Sequence, residues 1–160
     1  MEFREIERKF LVKGEEFKQF STESYPIQQG FLSSDPERVV RIRLSGEQGW
    51  ITVKGLGDQS GRSRFEWEKE ISANEARALL ELCEPGRIDK RRYTVPYKGH
   101  LFEVDEFFGE NEGLIIAEIE LQSIEQSFEV PEWLGREVTG EKAYYNSQLS
   151  KNPYCRWERP

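Results

Sequence analysis

The sequence predicts a mainly β, α+β fold: an eight-stranded antiparallel β-barrel that closes around a tunnel with a charged interior and is flanked by a few helices. Eight segments alternate apolar and polar residues with the period of two that β-strands require. Short connections join most of these segments, and charged residues occupy one face of nearly all of them. The predicted strands are residues 3–12, 27–33, 38–45, 49–55, 62–71, 87–97, 101–108 and 114–122.

The length and charge of the chain limit what it can be. Its 160 residues suffice for one domain with an apolar core, and we treat residues 1–160 as that single domain. The formal net charge of -7, from 30 acidic and 23 basic residues, argues against a general nucleic-acid partner, because neutralising phosphates needs a basic excess. Any phosphate site must therefore be a local concentration of Lys and Arg.

The sequence shows no signal peptide, membrane span or cysteine pattern of a disulfide or zinc site. The first ten residues are rich in charge, unlike a signal peptide, and no apolar stretch reaches the thickness of a bilayer. Cys83 and Cys155 lack the spacing of a zinc site or a disulfide framework, so we expect reduced thiols. These features predict a cytoplasmic protein with no membrane partner.

The connections carry turn chemistry, and two segments have helical patterning. Residues 33–36, 45–49 and 98–99 are rich in Ser, Gly and Asp or Pro, so sequential strands should pair antiparallel in an up-and-down order. A helix is predicted over 73–83, with Ser72 as its N-cap and Pro85-Gly86 at its end. A weaker helical pattern covers 139–150, with Ala143, Tyr144 and Leu149 as anchors.

The charged faces of the predicted strands are the most informative feature. Applying the period of two collects nine acids and eight bases on one side of the sheet. The acids are Glu5, Glu7, Glu66, Glu68, Glu70, Glu103, Asp105, Glu118 and Glu120. The bases are Lys9, Arg41, Arg43, Lys54, Arg62, Arg64, Lys90 and Arg92.

Two interpretations of these faces compete. In the first, they form the solvated side of a half-buried antiparallel sheet. In the second, they line the interior of a closed barrel, and the apolar faces point outward beneath helices. The faces contain almost no Ser, Thr, Asn or Gln, and acids and bases fall in separate blocks, which favours the barrel. Since buried charges need partners, such an interior suits a strongly charged ligand.

The chemistry of the two charge types suggests that ligand. Arg and Lys bind phosphate oxygens, whereas carboxylates bind hard cations such as Mg²⁺. A metal-chelated polyphosphate would engage both sets. The sequence offers no Ser/His or Cys/His arrangement for covalent catalysis.

The motifs on these strands resemble the CYTH superfamily, also called triphosphate tunnel metalloenzymes. The family's Glu-x-Glu-x-Lys motif is similar to residues 5–9, EIERK. Further motifs follow in order along nearly the whole chain: QG at 29–30, RIR at 41–43, TVKG at 52–55, EWE at 66–68, KRRY at 90–93, EVD at 103–105 and AEIEL at 117–121. The short chain resembles the bacterial members that hydrolyse inorganic triphosphate.

The resemblance implies roles by position. The triphosphate-binding set would be Lys9, Arg41, Arg43, Lys54, Arg64, Lys90 and Arg92. The metal-binding acids would be Glu5, Glu7, Glu118 and Glu120, supported by Glu66, Glu68 and Asp105. Lys9, Glu5 and Glu7 form the expected catalytic set, and the expected cofactor is Mg²⁺ or Mn²⁺.

One position departs from the family pattern. Members often carry a Tyr after Gln-Gly that works with the motif lysine, but this chain has Phe31. Tyr25 could share the strand face of Phe31 only if the strand begins earlier than predicted. The identity of the general base is therefore open.

The family leaves several functions open. The main expectation is metal-dependent hydrolysis of inorganic tripolyphosphate to pyrophosphate and phosphate. The rivals are an enzyme acting on an organic triphosphate, such as a class IV adenylate cyclase or a thiamine or nucleoside triphosphatase, and a non-catalytic polyphosphate-binding module. A small-molecule triphosphate is the expected partner, and homodimer formation is left open.

Overall fold

A closed eight-stranded antiparallel barrel with one additional strand dominates the computed structural model, which describes residues 3–158. The strands are β1 Arg4–Val12, β2 Glu23–Ser33, β3 Val39–Ser45, β4 Gln48–Gly57, β5 Ser63–Ser72, β6 Ile88–Tyr97, β7 His100–Phe107, β8 Ile115–Glu120 and β9 Leu134–Glu137. The helices are α1 Ala73–Leu80 and α2 Asn146–Leu149, with short 3-10 turns at Glu16–Phe20, Gly109–Asn111, Lys142–Tyr144 and Tyr154–Arg156. The mainly β barrel expected from the sequence is confirmed.

The strand order is not the simple up-and-down order predicted. It runs β5-β4-β3-β2-β6-β7-β8-β1-β9, and pairing of β5 with β1 closes the barrel. The first departure from the up-and-down order is that β2 pairs with β6 and not with β1. The 3-10 turn between β1 and β2 buries Phe17 on the outer side of the barrel against Tyr93 of β6, which carries the chain to that strand. The segment containing α1 likewise carries the chain from β5 to β6.

Strand β9 was not predicted from the sequence. It pairs with β1 beyond the end of the β1–β5 ladder, where Phe10 lies opposite Glu137 and Val12 opposite Leu134. Four residues are too few for a period of two to stand out from the surrounding loop. The strand matters because it leads the chain back toward the barrel before the C-terminal segment.

Both helices are shorter than predicted. Helix α1 begins at a capping box in which the Ser72 hydroxyl accepts from the Glu75 backbone N–H at 3.0 Å and the Glu75 carboxylate accepts from the Ser72 N–H at 2.9 Å. It ends at Leu80, although Cys83 still packs on the same apolar cluster. The predicted helix over 139–150 is reduced to one 3-10 turn and α2. None of the helices described is long and apolar enough to cross a membrane.

Two apolar clusters cover parts of the outside of the barrel. Helix α1 packs Ala76 and Leu80 against Ile42, and the loop after β8 places Trp133 against Phe102, with ring centroids 5.4 Å apart. Burial of these outward faces supplies the hydrophobic stabilisation that the charged inward faces do not.

A third apolar cluster lies inside the barrel. Phe107 lies opposite Lys90, Ile116 opposite Asp105 and Phe31 opposite Arg41, and directly opposed residues share a face of the sheet. We call this cluster the lumen core; its buried members are Phe31, Val39, Ile88, Phe107, Leu114, Ile116 and Leu149. The charged interior expected from the sequence therefore occupies only the remainder of the lumen.

Helix α2 completes the lumen core from the C-terminal segment. Leu149 has no exposed surface and contributes to this cluster, as its predicted role as an anchor requires. Gly86 permits the close approach of the segment, since a Cβ atom there would lie 1.9 Å from the carbonyl oxygen of Ser150. The C-terminal segment is thus part of the barrel's interior packing.

Replacing Leu149 tests this packing. Leu149→Ala should lower the free energy of unfolding by about 2–5 kcal/mol, because it removes a fully buried side chain and leaves a cavity. Urea denaturation followed by circular dichroism measures the change. Leu82→Ala is the matched control, since Leu82 is 73% exposed and its loss should cost less than about 0.5 kcal/mol. A loss below about 1 kcal/mol for Leu149→Ala would contradict a packed C-terminal segment.

Candidate functional site

A cavity of about 260 Å³ occupies the charged part of the lumen. Eight basic side chains line it: Lys9, Arg41, Arg43, Lys54, Arg62, Arg64, Lys90 and Arg92. Seven acidic side chains line it as well: Glu5, Glu7, Glu66, Glu68, Glu103, Glu118 and Glu120. The remaining lining residues are Phe31, Val39, Gly61, Tyr145, Asn146 and Ser147.

The inward set predicted from strand alternation is therefore largely recovered. All eight predicted bases and seven of the nine predicted acids line the cavity. The two exceptions are Glu70, which is exposed near the end of β5, and Asp105, which is buried behind the lining residues. Alternation predicts which face a residue occupies, but it does not predict its depth.

Asp105 is enclosed by cations. Its carboxylate accepts two hydrogen bonds from Arg92, at 2.8 and 2.9 Å, and Lys90 approaches it to 2.7 Å. Burial acts to raise the pKa of Asp105, but Arg92 and Lys90 outweigh it and hold that pKa far below the usual range. Asp105 is placed to orient these two bases, and its predicted supporting role at a metal stays untested.

A second group of charged side chains comes from β1, β4 and β5. It lies on the side of the cavity lined by Glu5, Glu7 and Glu66, which we call the acidic side. The Lys54 ammonium lies 2.8 Å from Glu5 and 3.4 Å from Glu66. Burial and the charge of Glu5 raise the pKa of Glu66 to about 7, so both protonation states of Glu66 are populated near neutrality. One lysine does not compensate two carboxylates.

Glu7 is the least compensated acid of the site. Desolvation, followed by the charges of Glu118 and Glu5, raises the pKa of Glu7 well above its usual value. By contrast, Lys9 and Arg92 outweigh desolvation and lower the pKa of Glu118 to about 2. Within residues 3–158 no Lys or Arg forms an ion pair with Glu7. The crowding therefore disfavours the ionised form of Glu7, and a bound cation would stabilise that form.

Two arginines of β3 are incompletely satisfied by the protein. Arg43 donates to the Gln29 side chain at 3.0 Å, but no carboxylate among the described residues forms an ion pair with it. Burial, together with the charges of Arg41 and Arg92, lowers the pKa of Arg43 to about 9. Arg41 contacts Glu68 at 3.4 Å, and its buried Nε has no hydrogen-bond partner. Both guanidinium groups are available to an anion.

The C-terminal segment contributes site residues that sequence reasoning missed. The side-chain oxygen Oδ1 of Asn146 accepts a hydrogen bond from the Lys90 ammonium at 2.9 Å and another from the side-chain amide of Gln29. The Tyr145 ring lies 5.0 Å from the Lys9 ammonium and 5.7 Å from the Arg64 guanidinium. No strand alternation marks this segment, so the sequence carries no signal that it enters the lumen.

The structure also answers the question about Phe31 and Tyr25. Strand β2 begins at Glu23, four residues earlier than predicted, and Tyr25 lies opposite Arg92 on the lumen side. Phe31 lines the inner end of the cavity and is 3% exposed within the lumen core. A hydroxyl at position 31 would therefore border apolar packing.

The acids provide donors that suit a divalent cation, although they do not form a complete site by themselves. Carboxylate oxygens are the ligands that Mg²⁺ prefers, and the raised pKa values of Glu7 and Glu66 show that the protein alone does not stabilise their ionised forms. Yet no group of three or more acidic, His or Cys side chains in the described part of the chain is arranged to hold a metal ion. Magnesium sites commonly use one or two carboxylates and substrate phosphates, so the donor set fits an ion that arrives with a phosphate ligand.

The chain is similar to known proteins over nearly its whole length. A model of the CYTH domain matches residues 4–153. An inorganic triphosphatase from Acetivibrio thermocellus is 47% identical over 152 residues, which cover 94% of this chain and 96% of that protein. An inorganic triphosphatase from Nitrosomonas europaea is 36% identical over 150 residues, which cover 91% and 96%.

The fold comparison gives the same result. The crystal structure of an inorganic triphosphatase matches this structure with a TM-score of 0.64 at 34% identity, and the match covers 91% of this chain and 93% of that chain. The family resemblance seen in the strand motifs is thereby confirmed over nearly the whole sequence. The chain belongs to the CYTH family.

Proposed function

We propose that this protein hydrolyses a triphosphate, with inorganic tripolyphosphate as its main substrate and pyrophosphate and phosphate as products. The observation that carries the proposal is a pair of incompletely satisfied guanidinium groups in a cavity lined by eight bases: Arg43 has no ion pair among the described residues, and the buried Nε of Arg41 has no hydrogen-bond partner. Holding like charges together in a desolvated site is unfavourable unless a ligand supplies the opposite charge. A chain of phosphoryl groups supplies several negative charges in a line.

The cationic side chains of this cavity suit phosphate oxygens. Arginine presents a planar set of donors that binds phosphate through two hydrogen bonds, and lysine contributes a compact positive charge. Lys9, Arg41, Arg43, Lys54, Arg64, Lys90 and Arg92 are the proposed binding set. During hydrolysis the same groups would stabilise charge on the oxygens of the transferred phosphoryl group.

We assign the metal site to the acidic side of the cavity. Glu5, Glu7, Glu118 and Glu120 would hold Mg²⁺ or Mn²⁺ together with phosphate oxygens, and Glu66 and Glu68 would support them. A bound divalent ion would supply Lewis-acid polarisation of the phosphoryl group. The chain itself contributes the orientation of its carboxylates, through the 2.8 Å contact of Lys54 with Glu5. It also keeps Lys9 near Glu118, at 3.8 Å.

The inorganic substrate is favoured over an organic triphosphate by the lining residues and the relatives. Phe31 packs in the lumen core and Tyr145 lies beside two cations, so neither aromatic ring is free to stack on a base. Two relatives that align with more than 90% of the chain are both named inorganic triphosphatases. A non-catalytic binding module would have no use for Glu7 and Glu66, whose raised pKa values show that their ionised forms need a cation.

A substrate panel tests the proposed activity. With Mg²⁺ or Mn²⁺, phosphate release from tripolyphosphate should exceed release from ATP or thiamine triphosphate by at least about tenfold in kcat/KM. Excess chelator should abolish it, because carboxylates without metal repel the substrate. Faster hydrolysis of an organic triphosphate would favour the rival function. Full activity in chelator would remove the metal from the proposal.

Replacing Arg43 separates a ligand site from a structural network of ion pairs. Arg43→Gln should lower kcat/KM on tripolyphosphate at least about 100-fold, because it removes a charge-assisted contact to phosphate. The free energy of unfolding should fall by less than about 1 kcal/mol, since no carboxylate is left unpaired. The control is Arg91→Gln on the outer face of β6, which should preserve kcat/KM. Parallel losses of stability and activity in Arg43→Gln would favour a structural role.

Proton release on metal binding tests the acidic side. Because the pKa of Glu66 is raised to about 7, its carboxyl group is mainly protonated at pH 6 in the metal-free protein. A metal requires the ionised form, so Mn²⁺ binding should release protons at pH 6 and bind more tightly as the pH rises toward 8. Calorimetric titration in two buffers of different ionisation enthalpy measures the release.

Two variants of β5 control this measurement. Glu66→Gln should reduce proton release at pH 6, whereas Glu70→Gln, which alters an exposed acid on the same strand, should not. Equal proton release from wild type and Glu66→Gln would show that Glu66 does not give up a proton when the metal binds.

A further inference from the structure

The Tyr145 ring joins two bases of the cavity that come from different strands. The Lys9 ammonium of β1 lies 5.0 Å from the ring centroid, and the Arg64 guanidinium of β5 lies 5.7 Å from it. Both separations fall within the range in which the ring quadrupole attracts a cation. Tyr145 itself lines the cavity.

Lys9 has few other interactions that could fix its ammonium group. Among the described residues its one ion-pair partner is Glu118, at 3.8 Å, which is longer than a hydrogen bond. Its backbone is held well, since its N–H donates to Thr139 at 2.9 Å and its carbonyl accepts from Val138 at 2.8 Å. The side chain is nevertheless long and flexible, so an additional contact is needed to restrict its position.

The backbone around Tyr145 is fixed independently of the ring. The Tyr145 carbonyl accepts from the backbone N–H of Leu149 at 2.8 Å and of Gln148 at 2.9 Å. The neighbouring Asn146 receives a hydrogen bond from Lys90, and Leu149 is buried in the lumen core. A change of the Tyr145 side chain can therefore leave the segment in place.

An aromatic ring attracts cations without neutralising them. A carboxylate at this position would orient Lys9 and Arg64 as well, but it would also compete with an anionic ligand for them. The ring has no net charge, so the two bases keep their full attraction for phosphate oxygens. This combination suits a site that must be ordered before a polyanion arrives.

We propose that Tyr145 is a positioning residue: the face of its ring holds Lys9 and Arg64 in the arrangement that binds the triphosphate. The inference rests on the proposed function for its kinetic test, but its binding test does not require turnover. It assigns the role to the aromatic ring and not to the phenolic hydroxyl.

Substitutions at position 145 distinguish the ring from the hydroxyl. Tyr145→Leu should raise the KM for tripolyphosphate at least about tenfold with a smaller change in kcat, because the bases are less ordered before binding. Tyr145→Phe keeps the ring face and should stay within about threefold of wild type. Equal losses in both variants, or KM within about twofold of wild type for Tyr145→Leu, would overturn the proposal.

Tyr144→Leu is the matched control on the same segment. Tyr144 packs on Trp157, with ring centroids 5.1 Å apart, and does not line the cavity. Its replacement should lower the melting temperature while leaving KM within about twofold of wild type. A rise in KM equal to that of Tyr145→Leu would attribute the effect to general loosening of the segment and overturn the proposal.

A double-mutant cycle tests whether Tyr145 acts through the two bases. The Kd for a non-hydrolysable imido analogue of tripolyphosphate is measured by calorimetry on the full chain with Mg²⁺ present. Tyr145→Leu should weaken binding at least about tenfold in the wild-type background and less than about threefold when Lys9→Ala and Arg64→Ala are already present. An equal effect in both backgrounds would overturn the proposal. If the wild-type protein binds the analogue but does not hydrolyse tripolyphosphate with Mg²⁺ or Mn²⁺ present, the proposed function fails while the cycle still decides the role of Tyr145.

Discussion

The main physical constraint on this structure is that the barrel encloses many charged side chains, and not all of them form ion pairs. Buried ions are costly unless paired, and the lumen resolves this in two ways. Asp105 is fully paired with Arg92 and Lys90, with contacts of 2.7–2.9 Å. Arg43 and Glu7 lack ion pairs within the described residues, and their pKa values shift toward the neutral forms. The first kind of charge is structural, and the second is available to ligands.

Apolar packing makes this arrangement sustainable. The lumen core fills one end of the barrel, and two outer clusters cover parts of the opposite faces of the strands. Hydrophobic burial can therefore offset the electrostatic cost of the cavity, as the marginal balance of folding requires. The C-terminal segment takes part in both the apolar packing and the charged cavity. Leu149 packs in the lumen core, and Asn146, three residues before it, accepts a hydrogen bond from Lys90. Packing of the C-terminal segment and geometry of the site are thus coupled.

The sequence predicted the strands and the inward residues well because both follow from local alternation. The eight bases that line the cavity all stand at alternating positions of predicted strands. Depth was not predictable: Glu118 and Asp105 share the same pattern, yet the first borders the cavity and the second lies behind it. The strand order and the entry of Tyr145 into the lumen depend on contacts between distant segments, and no periodic signal records such contacts. Strand β9 was missed because its four residues are too few to show a period of two.

The arrangement of the strands explains how one face of the sheet can carry both charge signs without every charge forming an ion pair. The bases of β3 lie opposite β2 and β4 residues such as Gln29 and Thr52, which are neutral hydrogen-bond partners. Most acids come from β1, β5 and β8, which are neighbours where the pairing of β5 with β1 closes the barrel. This separation by strand leaves Arg43 without an ion pair among the described residues and gives Arg41 a single 3.4 Å contact with Glu68. A metal-bound polyphosphate, the proposed ligand, would satisfy both sides at once, because its cation could bind the acids while its oxygens bind the arginines.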